Sequence, residues 1–156
     1  MKLKQILKEI GDSTSKIYKY NESQLPNWSK VDMEYGVAGD NVQFITDSGI
    51  KYEVNFECTD NIMRSDFRVI GQPITFQPNK GELYSVMATI TDMNLKILKK
   101  YPNIVGIEYK PAKTKDNNDG IQRDKLYKIY ISKQLQKIGK SVEFSNDSGY
   151  TIAMFK

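Results

Sequence analysis

Histidine is absent from this chain of 156 residues, and cysteine occurs once, as Cys58. Those two facts remove Ser-His-Asp and Cys-His catalysis, histidine- or cysteine-bound zinc, and any internal disulfide. Acid–base chemistry must then fall to carboxylates, lysines and tyrosines, and no metal site is expected. Cationic side chains are the other chemical resource. Residues 11–95 carry seven Lys/Arg against twelve Asp/Glu, whereas residues 96–140 carry twelve against four, a net of +8. Lys110, Lys113, Lys115, Arg123, Lys125 and Lys128 lie in this stretch and form a candidate contact for an anionic partner, protein or nucleic acid. Their spacing also suits a pair of solvated helices, and no nucleic-acid-binding motif is present.

The elements that must position these side chains follow from composition and period. Hydrophobic residues at 39% and charged residues at 27% describe a folded globular domain. No run of about 18 apolar residues occurs, so no membrane helix is expected, and the start lacks the apolar core of a signal peptide. One cytoplasmic domain over 1–156 is the expectation. Abundant lysine, asparagine, isoleucine and tyrosine suggest an AT-rich genome, that of a low-GC bacterium or its phage.

Leu3, Ile6, Leu7 and Ile10 predict a short amphipathic helix over 1–11, ended by Gly11, which docks on its own sheet or on a partner chain. Residues 12–30 read as irregular, with Trp28 plugging the core. From Val31 the period becomes two. Val42 and Phe44, then Tyr52, Val54 and Phe56, flank the turn Asp47-Ser48-Gly49 as a hairpin, with further strands at Phe67 and Val69 and at Ile74 and Phe76. Leu83, Val86, Met87, Ile90, Ile97 and Tyr101 predict a long helix stopped by Pro102. Val105, Ile107 and Tyr109 alternate as a strand. A second long helix is expected over 121–138, and a hairpin around Asn146-Asp147-Ser148-Gly149 closes the chain.

The order strand, glycine, long helix, strand, long helix, strand resembles the core of the GNAT N-acetyltransferase fold. The class it implies is α+β, with a mixed, largely antiparallel sheet flanked by two long helices. In that family a strand-to-helix loop holds the pyrophosphate of acetyl-CoA on backbone N–H groups. The corresponding junction is Phe76-Gln77-Pro78-Asn79-Lys80-Gly81-Glu82-Leu83. Gln77 matches the first position of the family's Gln/Arg-x-x-Gly-x-Gly/Ala loop, while Lys80 and Glu82 stand at its two glycines. The resemblance thus points to Gln77, Lys80 and Gly81 for coenzyme contact. Glu82 opposes an anion there and also suits the first turn of a helix.

Leu126-Tyr127 resembles the Leu-Tyr of the family's second helix, whose tyrosine protonates the departing thiolate. Tyr127 also lies on the apolar stripe, where a core tyrosine is accounted for. Glu108, on the strand between the helices, is the candidate base, and solvent exposure on that strand is its other explanation. The chain is also similar, over about residues 40–135, to GNAT-like proteins of tailed bacteriophages, through Gly81, Val86, Ala88-Thr89-Ile90, Tyr109, Arg123 and Leu126-Tyr127. The replaced glycines and the missing histidine imply a non-catalytic phage protein without a cofactor. It would act by binding, in the virion or on a host or phage macromolecule. An acetyl-CoA-dependent N-acetyltransferase, with Glu108 as base and Tyr127 as acid, is the alternative. Nucleic-acid binding through the basic 96–140 face is the third.

Overall fold

Alternating apolar and polar residues from Val42 onward build a sheet, and its turns sit where residues tolerate positive φ. The computed structural model describes residues 16–39, 41–71, 80–109, 128–133, 135–147 and 150–156, with only the backbone of Lys80, Gly81 and Asp147. Strands β1 (Val37–Ala38), β2 (Val42–Ile45), β3 (Lys51–Thr59), β4 (Ile62–Val69), β5 (Gly106–Tyr109), β6 (Val142–Asp147) and β7 (Tyr150–Phe155) form one sheet. Its order is β1-β3-β4-β5-β7-β6, with β2 also on β3. All pairs are antiparallel except β4–β5. The architecture is α+β with a mixed, mostly antiparallel sheet.

The β2–β3 turn is placed by Gly49 at φ 85°, whose N–H donates to Thr46 O at 2.9 Å. Asp60 and Asn61, at φ 53° and 59°, make the two-residue turn between β3 and β4. The two-residue loop with positive φ at both positions follows the right-handed strand twist. Asp60-Asn61 therefore joins strands, and β4 begins at Ile62, earlier than Phe67. Since β4 occupies one edge of β3, β1 and β2 share the other. Ala38 pairs with Glu57 and Val42 with Val54, so this edge gains one residue over β3, a bulge around Gly39.

One face of the sheet is the core face, carrying Val42, Phe44, Tyr52, Val54, Phe56, Cys58, Met63 and Ile107. Helix α2 (Lys80–Lys100) lays Val86, Ile90, Met93 and Ile97 against it. Each such aliphatic side chain contributes roughly 1.5–3 kcal/mol by leaving water. Met93 and Leu98 join the buried stripe that the sequence suggested.

Four elements differ from expectation or lie beyond reach. Val31 does not begin a strand: helix α1 (Lys30–Tyr35) occupies that place. Ser29 Oγ caps it by accepting from Asp32 N–H at 3.1 Å, and Gly36 at φ 127° ends it, so local capping overrides the β-branched Val31. The second long helix is seen only as helical residues 128–133 and 135–137. Among the described residues α2 is the one long helix, so a sheet flanked by two is not found there. The predicted helix at 1–11 and the strand at Ile74 and Phe76 lie outside the described residues.

The segment before α1 is bound along α2. Tyr18 N–H donates to Thr89 Oγ1 at 2.9 Å, and Tyr20 OH donates to Asp92 at 2.6 Å. Trp28 is buried beside Tyr101, ring centroids 6.0 Å apart, in the core position its segment suggested.

Candidate functional site

Glu108 sits at the middle of the sheet because β5 is inserted between β4 and β7. Its pairing partners are Arg64 on β4 and Ile152 on β7. Period two then puts Glu108, Arg64, Ile152, Tyr150 and Met154 on the face opposite the core. Arg64 Nη2 donates to Glu108 Oε1 at 2.9 Å, and the guanidinium carbon stands 4.3 Å from the centre of the Tyr150 ring. Glu57, paired with Arg64 from β3, brings a second carboxylate to 4.0 Å. Only 22% of the Glu108 side chain is exposed. The carboxylate is thus an acceptor already engaged by a cation that is itself stacked on a ring.

Such an arrangement holds the Glu108 carboxylate in place. It serves less well as a general base, because Oε1 is already occupied by the Arg64 guanidinium. Glu108 is therefore half-buried and paired, where the strand pattern alone suggested simple exposure.

Beside this cluster, on the other face of β4, lies a buried hydroxyl. β4 and β5 are in register at Ile62–Gly106, Met63–Ile107 and Arg64–Glu108, and Tyr109 pairs with Thr151 on β7. Ser65, 6% exposed on the core face of β4, has no hydrogen-bond partner for its hydroxyl among the described residues. A buried hydroxyl in that state costs free energy.

The other predicted site residues divide clearly. Lys80 and Gly81 open α2, with only their backbone described. Gln77, Lys110, Lys113, Lys115, Arg123, Lys125 and Tyr127 lie outside the described residues. Lys128 is described, with Nζ 5.7 Å from the centre of the Phe144 ring. Glu82 lies in the first turn of α2, and its carboxylate accepts from Ser48 N–H at 3.0 Å and Ser48 Oγ at 2.7 Å. The acid therefore clamps the helix start to the β2–β3 turn.

The basic stretch is not one uniform face. Lys96 is bonded to Glu22 and lies 3.2 Å from Asp92, contacts that raise its pKa, the Glu22 bond most. It is spent on holding the N-terminal segment. Cys58 is buried on β3, and burial pushes its thiol up to about 11, an unreactive setting. Among the described residues no group of three or more His, Cys, Asp and Glu could hold a metal ion. No described helix is long and apolar enough to cross a membrane.

Arg64, Ser65 and Tyr150 were not singled out from the sequence. Arg64 and Glu108 are 44 positions apart, and their contact depends on a parallel pairing between strands separated by a helix. Charge alternation in β3 and β4, with Glu53, Glu57, Arg64 and Arg68, was the available signal that a polar face existed. No family model, curated protein or solved structure matches this chain.

Proposed function

We propose that this chain is a GNAT-like phage protein that acts by binding rather than by acetyl transfer, in the virion or on a host or phage macromolecule. The observation that carries this reading is the Arg64–Glu108 pair. The one candidate base with a described side chain is committed to a guanidinium at 2.9 Å. The GNAT-like reading draws support from the strand order, with β5 parallel to β4 after a long helix and β7 between β5 and β6. The replaced loop glycines and the absence of histidine point the same way. A protein or nucleic-acid partner would meet the lysines of the C-terminal half.

The test is thermal unfolding with and without acetyl-CoA at about one hundred times a trial dissociation constant. A binding protein of the proposed kind shows no shift. An acetyl-CoA site would add roughly 2.7 kcal/mol and raise the midpoint by roughly 5–10 °C.

One observation favours the second reading, an acetyl-CoA-dependent N-acetyltransferase. The Ser65 hydroxyl is buried and has no partner among the described residues, and an amide-containing arm could bond to it. On that reading Tyr127 is the acid and Gln77, Lys80 and Gly81 meet the coenzyme. The same melting experiment separates the two.

A further inference from the structure

The sheet ends at β6, and among the described residues no strand lies along its outer edge. One hydrogen bond orients its backbone. Lys156 N–H donates to Ser141 O at 2.9 Å, and the N–H and C=O groups of successive residues alternate between the two sides of a strand. Glu143 and Ser145 therefore turn theirs toward β7, where they pair with Met154 and Ile152. Val142, Phe144 and Asn146 turn theirs outward.

The two sheet edges are built differently. The β1/β2 edge is bulged at Gly39, a device that discourages further pairing. Strand β6 runs in unbroken register from Val142–Phe155 to Asp147–Tyr150, with no proline. Lysines stand over rings at this end of the sheet. Lys128 Nζ lies 5.7 Å from the Phe144 ring centre and Lys140 Nζ 5.4 Å from that of Phe155, while Lys137 is exposed on the helical residues between. Glu143, which would oppose an acidic partner, is held by Lys156 at 2.7 Å.

We infer that the outer edge of β6 accepts an extended acidic segment of a partner protein, which adds a strand to the sheet. Its backbone bonds to Val142, Phe144 and Asn146, and its carboxylates lie near Lys128, Lys137 and Lys140. This rests on the proposed binding function and names its partner class. A strand edge selects a protein over a nucleic acid, because only a polypeptide repeats amides at the spacing of β6.

The experiment is amide hydrogen exchange of the full chain with and without a synthetic peptide of alternating glutamate and valine, about 6–8 residues long. The Phe144 and Asn146 amides should exchange fast in the free chain and at least about tenfold slower with the peptide. The inward Ser145 amide should be slow in both. Asn146→Pro removes an outward donor at a position an edge strand tolerates, and should weaken binding. Lys137→Glu with Lys140→Glu should do so independently of any strain from the proline. The inference is overturned by unchanged exchange at Phe144 and Asn146. It is equally overturned if an N-methylated peptide binds as well, if single-stranded DNA displaces the peptide, or if a second copy already protects the edge. Stabilisation by acetyl-CoA alongside peptide protection would instead sink the non-catalytic reading and leave the strand edge standing.

Discussion

Arg64 donates to Glu108 at 2.9 Å across the parallel β4–β5 pair, with the Tyr150 ring against its guanidinium. The contact ties together the N-terminal meander and the C-terminal hairpin. Arg64→Ala leaves a half-buried carboxylate without its cation, at about 1–3 kcal/mol. Glu108→Gln keeps an acceptor and should cost less. In a double-mutant cycle with Glu108→Ala the two losses should be less than additive. Denaturant unfolding measures all four proteins, and strict additivity would show that the pair contributes nothing.

Ser48 holds the Glu82 carboxylate with two hydrogen bonds, and these, the side-chain bond first, lower its pKa. With the folded pKa below the unfolded one, the contact contributes fully above the ordinary glutamate value of about 4.3. Its contribution is lost as pH falls through the folded value. The unfolding midpoint of Glu82→Gln should therefore fall less steeply than that of the parent on acidification across this range. Parallel acid limbs in the two proteins would contradict the assignment.

Gly106 is required by close approach. A Cβ there would lie 2.8 Å from Met154 Sδ and 2.9 Å from Ala153 O, a backbone atom. Gly106→Ala should cost roughly 1–3 kcal/mol by overpacking. Adding Met154→Ala should recover only part of it, since the carbonyl remains. Full recovery, read from melting midpoints, would place the whole clash at the sulfur.

Tyr101 OH donates to Pro26 O at 3.0 Å and accepts from Trp28 N–H at 2.7 Å. Tyr101→Phe keeps the ring but strands two buried backbone groups, at about 1–3 kcal/mol. Trp28 is the sole tryptophan, so its emission reports the site directly. A red shift before global unfolding is expected, and an unchanged spectrum and midpoint would show that water replaces the hydroxyl.

Much of the local structure is legible along the chain. The stripe from Leu83 to Tyr101 gives α2, the alternation at Val42–Phe56 gives β2 and β3, and Asp47-Ser48-Gly49 gives the turn between them. These follow from short-range sterics and a single period. Helix α1 was hidden because six residues are too few to show a period, and its signal is the Ser29 cap with Gly36.

The candidate site was legible only as residue types. Excluding histidine and cysteine chemistry, and picking Glu108 as a carboxylate worth locating, needed nothing beyond the sequence. That Glu108 is engaged by Arg64, and that Lys96 is engaged by Glu22, needed the tertiary structure. The same holds for β7. Its apolar residues Tyr150, Ile152 and Met154 lie on the face opposite the core, while Thr151 and Ala153, 2% and 0% exposed, face inward. Alternation is set by the backbone and can be read locally. Which alternate face is covered depends on register against β5, fixed by strands and a helix far away in the chain.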